Sequence, residues 1–160
     1  MIILYISIWV LYTDIRDEVC GWAPYASAIL DRRIYTKEKR MEFINAESVR
    51  VYENPGVKSR QLLNPGNSAS ERITVTRVQV EPGAEQPRHT HENSEQVWIA
   101  VRGKGTLLLG DSSEKNICEG DVVRFADGDV HGLLNNSDEV FEYISVTSPP
   151  LDFSNVYVKR

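Results

Sequence analysis

Gly83-Ala84-Glu85-Gln86-Pro87-Arg88-His89-Thr90-His91-Glu92-Asn93-Ser94-Glu95-Gln96-Val97-Trp98-Ile99-Ala100-Val101-Arg102-Gly103 is the stretch on which the fold turns. His89 and His91 are separated by one residue, and side chains at i and i+2 of an extended segment point to the same face. Both imidazoles therefore converge on one point if this segment is extended. The run Val97–Val101 behind them is rich in β-branched and aromatic residues and reads as a strand closed by Gly103. An isolated His-x-His pair is also what one core histidine and one solvated neighbour would give, so the surrounding spacing has to decide.

Moving outward, the third and last histidine of the chain lies in a second glycine-framed stretch. It runs Gly120, five residues, Ala126, Asp127, Gly128, two residues, His131, three residues, Asn135. The first stretch resembles the first cupin motif, G-x5-H-x-H-x3,4-E-x6-G, and the second resembles the second, G-x5-P-x-G-x2-H-x3-N. Ala126 stands where the family has proline. The resemblance spans residues 83–135, extends through flanking strands over roughly residues 48–150, and implies an all-β jelly-roll barrel. It also implies that His89, His91 and His131 are metal ligands.

The fourth ligand departs from the family. The carboxylate slot lies six residues before the closing glycine, and counting back from Gly103 places Gln96 there. Glu95 is the alternative, at the shorter spacing from His91. Adjacent strand residues face opposite ways, so only one of the two can look at a metal. Gln96 inward would bring Trp98 and Ala100 into the barrel, whereas Glu95 inward would bring Val97, Ile99 and Val101. The glycine count favours Gln96, and both remain candidates. An amide oxygen is neutral and binds more weakly than a carboxylate, so such a site would keep the full charge of a divalent ion and attract an anionic ligand.

The rest of the chain agrees with a barrel. Val49–Tyr52, Arg72–Val80, Gln96–Arg102, Thr106–Leu109, Asn116–Cys118, Asp121–Phe125, His131–Asn135 and Val140–Val146 read as short strands. Turn signals such as Asn64-Pro65-Gly66, Pro82-Gly83, Gly110-Asp111 and Asp127-Gly128 separate them. Asp31–Ile44 has a weak helical pattern, and Leu151–Arg160 is expected to pack back over the barrel or a neighbouring subunit. The chain has 160 residues, enough for one ordinary domain, with 41% hydrophobic and 26% charged residues. Its net charge of -5 is spread without a basic cluster, which argues against a nucleic-acid partner. Cys20 and Cys118 make no disulfide framework and read as free thiols in a reducing cytoplasm.

Met1–Tyr12 is almost wholly apolar, yet twelve residues fall short of the ~20 that cross a membrane as a helix. The segment also lacks the positive start of a secretory signal. It suits an added strand or, as favoured here, an upstream extension: residues 1–45 are read as an N-terminal extension, with Met41 the candidate native start, and residues 46–160 as a single cupin domain.

Two functional expectations follow from the resemblance. The first is a metal-dependent enzyme, oxygenase-like, using iron or manganese on a small anionic organic substrate; dioxygenase chemistry is preferred over decarboxylase, isomerase or lyase. Nickel, zinc, copper and cobalt also suit histidine-rich sites. The second is a non-catalytic small-ligand-binding protein that uses the metal as its binding site. A purely structural metal ranks last. Arg77, Trp98, Arg124 and Tyr143 are candidates to line the lumen, with ordinary packing or surface placement the competing reading for each. A homodimer is expected, because Val97/Ile99/Val101 and Phe141/Tyr143 would leave apolar area to cover.

Overall fold

The computed structural model describes residues 41–153. Residues 1–40 of the expected N-terminal extension, most of the weak helical pattern and the last seven residues lie outside them; residues 41–44 are not helical. A single turn of 3-10 helix at Ala46–Ser48 is followed by ten strands. These are β1 (Val51–Asn54), β2 (Val57–Leu63), β3 (Thr74–Val80), β4 (Glu85–His89), β5 (Glu95–Arg102), β6 (Lys104–Leu109), β7 (Glu114–Cys118), β8 (Val122–Phe125), β9 (His131–Leu134) and β10 (Phe141–Ser148).

The strands form two antiparallel sheets, one ordered β1-β2-β3-β10-β5-β8 and the other β4-β9-β6-β7. Sequence neighbours such as β4 and β5 sit in different sheets, so the chain repeatedly crosses between them. That is the jelly-roll arrangement, in which the facing sides of two sheets share one core. Val80, Leu107, Leu133, Phe141, Trp98 and Tyr143 fill it. Along β5 the alternation falls as the glycine count requires: Gln96, Trp98 and Ala100 are buried, while Ile99 and Val101 are exposed.

β2 and β4 were not expected. β2 carries Ser59 and Gln61 at buried positions in place of apolar residues, which erases the alternation a strand normally shows. β4 contains Pro87 and few apolar residues. Proline cannot donate to a ladder, and the pairing of β4 with β9 shifts register between Gln86 and His89.

One part of the expected dimer face is overturned. Phe141 and Tyr143 are 0% and 1% exposed, packed in the core of this chain, and offer no area to a partner. The exposed apolar side chains on the strands are instead Val51, Ile99, Val101 and Val122.

Candidate metal centre

His89 ends β4, His91 follows two residues later, and His131 opens β9. β4 and β9 are paired, with His89 directly opposite His131. Their close approach depends on Gly132, where an added Cβ would lie 2.7 Å from the Gln86 carbonyl oxygen and 2.9 Å from the Arg88 nitrogen. The two motifs are tied together by the Gly128 N–H, which donates to the His91 carbonyl at 3.0 Å. At Ala126, where proline was expected, the N–H donates to Asp129 Oδ2 at 2.8 Å. Proline could not make that bond, so here a hydrogen bond holds the turn that a ring would otherwise stiffen. Asn135 closes the second motif as a buried clamp: its amide donates to the carbonyls of Val80 and Glu139, and its Oδ1 accepts from Ser137.

The structure brings His89, His91 and His131 together, with one nitrogen of each within 4.8 Å of the others. Backbone carbonyls fix two of the rings. His89 Nδ1 lies 2.8 Å from the Pro87 oxygen and His131 Nδ1 lies 2.9 Å from the Asp129 oxygen. A carbonyl only accepts, so each Nδ1 carries the proton and each Nε2 presents a lone pair. Burial, reinforced by the charge of His89, lowers the pKa of His91 to about 4. Burial likewise lowers His131 to about 4, against a raising hydrogen bond to the Asp129 backbone. Both are therefore neutral at pH 7, the form that binds a metal.

Gln96 is also brought to the cluster, and Glu95 is not. Gln96 is 4% exposed, and its Oε1 accepts from Trp98 Nε1 at 2.6 Å. Indole N–H only donates, which identifies the oxygen end of the amide. The same Oε1 lies 3.0 Å from His131 Nε2. The amide nitrogen donates to Thr147 Oγ1 at 2.9 Å and lies 3.3 Å from His91 Nε2. The contact between Gln96 Oε1 and His131 Nε2 thus sets two acceptors against each other, and a cation between them resolves it. Glu95, with its side chain 42% exposed, forms an ion pair with Arg124 on the outer face of the sheet.

Aromatic rings enclose the cluster. Phe125 stacks on His131 with centroids 4.1 Å apart and planes 13° off parallel, and Trp98 meets the same ring edge-on. Phe153 lies across His91 at 5.6 Å, so the described start of the expected closing segment lies against the site; its residues 154–160 lie outside the described residues. A narrow cavity of about 30 Å³ opens beside the histidines, lined also by Gln96, Trp98 and Tyr143. Of the four other candidates for the lumen, Trp98 and Tyr143 line it, whereas Arg77 and Arg124 are exposed and paired with Glu142 and Glu95. The sequence reading missed Phe125, Thr147 and Gly132. Phe125 and Thr147 are the register partners of Gln96 on either side, so they become visible only once strand pairing is known.

A jelly roll enclosing three convergent histidines defines a class of barrel proteins able to hold a metal ion. Residues 76–147 match the family model described as the cupin domain, a span holding the whole cluster except Phe153, and that stretch is a cupin domain. Solved structures agree. An uncharacterised Klebsiella pneumoniae protein with a double-stranded β-helix domain is 25% identical with a TM-score of 0.57, covering 71% of this chain and 92% of its own. A polyketide cyclase from Streptomyces resistomycificus is 21% identical with a TM-score of 0.60, covering 69% and 80%. An ectoine synthase from P. lautus is 18% identical with a TM-score of 0.62, covering 72% and 83%. A search of curated proteins returned no match. Among the described residues, no helix is long and apolar enough to cross a membrane.

Proposed function

We propose that this domain is a metal-dependent enzyme acting on a small organic substrate inside the barrel, with His89, His91 and His131 as metal ligands and Gln96 as a fourth, neutral one. The observation that carries this reading is the tautomer pattern. Backbone carbonyls hold the Nδ1 protons of His89 and His131, which turns their Nε2 lone pairs to a shared point beside the Gln96 oxygen. A histidine cluster kept for packing alone has no need of fixed, inward lone pairs.

Iron or manganese is the preferred metal. When bound, it would supply Lewis acidity toward an anionic oxygen of the substrate and redox chemistry toward dioxygen. The chain's own residues do the rest. Trp98 holds the Gln96 amide in one orientation, Phe125 and Phe153 cover the imidazoles, and Tyr143 donates to Gln86 Oε1 at 2.5 Å across the cavity wall. Two of the structural neighbours are enzymes by name, which supports the enzymatic reading by analogy.

A second reading has one observation in its favour: no aspartate or glutamate is among the described residues lining the cavity. These residues offer no carboxylate for general acid–base catalysis, as a binding protein would not need one. Elemental analysis of purified protein, followed by oxygen-uptake and turnover assays on small keto and hydroxy acids, tests both. About one metal per chain with turnover is expected. Metal with saturable ligand binding and no turnover moves the conclusion to the second reading, and absence of metal after metal-replete expression overturns both.

A further inference from the structure

Three buried side-chain atoms among the described residues have no hydrogen-bond partner: Gln61 Nε2, Thr76 Oγ1 and Ser145 Oγ. They are not scattered. Gln61 on β2 is the register partner of Thr76 on β3, and Thr76 is the partner of Ser145 on β10. The three form one row across the six-stranded sheet, which continues to Trp98 on β5. The residues are 2%, 4% and 5% exposed. Buried hydroxyls are normally satisfied, and leaving one unpaired costs stability. On β3 the neighbouring inward positions Val78 and Val80 are apolar, so this sheet readily takes valine where it packs a core.

Thr76 and Ser145 both line the cavity that His89, His91 and Gln96 line. Their row lies two residues along β10 from Thr147, which pairs with Gln96. Two residues of strand are about 7 Å, so the hydroxyls face the histidine cluster across the width of a small molecule. Among the described residues lining this cavity none is lysine, arginine, aspartate or glutamate, and Arg77 is turned outward to Glu142 at 2.7 Å.

We propose that Thr76 and Ser145 form a neutral polar subsite that takes a hydroxyl or carbonyl group of a small ligand whose anionic end sits at the histidine cluster. This rests on the metal-site reading above and narrows its substrate class. The far end of the ligand carries an uncharged hydrogen-bonding group. A second carboxylate would find no countercharge there, and a methyl group would leave both hydroxyls unpaired.

The test uses the full chain loaded with manganese and three probes that differ only at one end: 3-hydroxypropionate, propionate and malonate. Binding is read by calorimetry and by the relaxation of water protons near the manganese. 3-Hydroxypropionate is expected to bind at least about fivefold more tightly than the other two, the scale of one or two recovered hydrogen bonds. In a Thr76→Val/Ser145→Ala variant that preference is expected to vanish while propionate binds as before. The thermal midpoint of the variant is expected to hold or rise, since two unpaired hydroxyls are gone. Thr76→Ser, which keeps its hydroxyl, is expected to keep the preference. Equal binding of the three probes, no binding of any, or a preference that survives the double variant overturns the subsite. Manganese content of the same samples separates the two readings: one ion per chain without hydroxyl preference sinks the subsite alone. A parent protein that takes up no manganese overturns the metal reading and the subsite with it.

Discussion

Replacing Gln96 by glutamate (Gln96→Glu) changes the sign of an energy according to whether metal is present. The side chain is buried, and its contacts are to Trp98, Thr147, His131 and His91 at 2.6, 2.9, 3.0 and 3.3 Å. In the variant one carboxylate oxygen keeps the Trp98 N–H, and the Thr147 hydroxyl can turn to donate to the other. Shape and hydrogen bonding are therefore nearly conserved, and the new feature is a charge. Without metal the charge faces two imidazoles that are neutral at pH 7. Burying it there costs about 1–3 kcal/mol. Its pKa is then raised in the folded state, so the folded state binds the extra proton more readily. The lost stability is full at high pH and returns as pH falls through the raised folded value. With a divalent ion at the cluster, its attraction to one carboxylate charge at 4 Å contributes about 8 kcal/mol at an effective dielectric of 20. Desolvation of the carboxylate offsets most of this, leaving about 1.5–3 kcal/mol, or about 10- to 100-fold tighter metal binding. Competition against a chromophoric chelator measures the affinity, and urea melts of the chelator-stripped protein at pH 6 and 8 measure the stability. A stripped variant as stable as the parent at pH 8, with metal affinity unchanged, would refute the placement of residue 96 at the metal.

Other perturbations probe the frame around the site. Gly132→Ala drives a methyl group against the backbone of β4. It is expected to cost about 1–3 kcal/mol and to lower metal uptake by separating His131 from His89; normal uptake would show that the close approach is not needed. Leu133→Ala removes a fully buried side chain facing both sheets and is expected to cost about 2–5 kcal/mol in urea melts, with a cost under 1 kcal/mol counting against the core described. The stripped protein is expected to lose stability as pH falls from about 6.5 toward 4. His91 and His131 titrate near 4 in the folded chain and near 6.5 unfolded, so in that window only the unfolded chain takes up their protons. His131→Gln is expected to flatten the slope, and an unchanged slope would place the effect elsewhere.

Much of the site was legible because its chemistry is carried by rare residues at fixed spacing. Three histidines in two glycine-framed stretches left little choice, and the glycine count placed Gln96 over Glu95 in the direction the structure takes. What could not be read depends on partners distant in sequence. β2 hides because its inward positions include Ser59 and Gln61, buried polar residues that break the apolar alternation a strand is read from. β4 hides because Pro87 and a register shift disguise a strand whose task is to carry His89 past His131. The overturned part of the expected dimer face has the same origin: Phe141 and Tyr143 look exposed on a strand assumed to have two free faces, yet a bulge between Glu142 and Tyr143 accompanies the burial of Phe141, Glu142 and Tyr143 alike.

The polar rows and the neutral site belong to one physical argument. The described side chains gathered at the cluster are imidazoles and an amide with no carboxylate among them, and the nearby charges of Glu95, Arg124, Arg77 and Glu142 are paired off on the outer face of the sheet. A divalent ion held there keeps its charge for the ligand, in a lumen walled by Trp98, Phe125 and Tyr143 where that charge is poorly screened. A carboxylate at position 96 would spend part of that attraction within the protein. In the proposed site Gln96 would leave it to select an anionic group, and the neutral row of Thr76 and Ser145 would then select among the anions by what they carry at the other end.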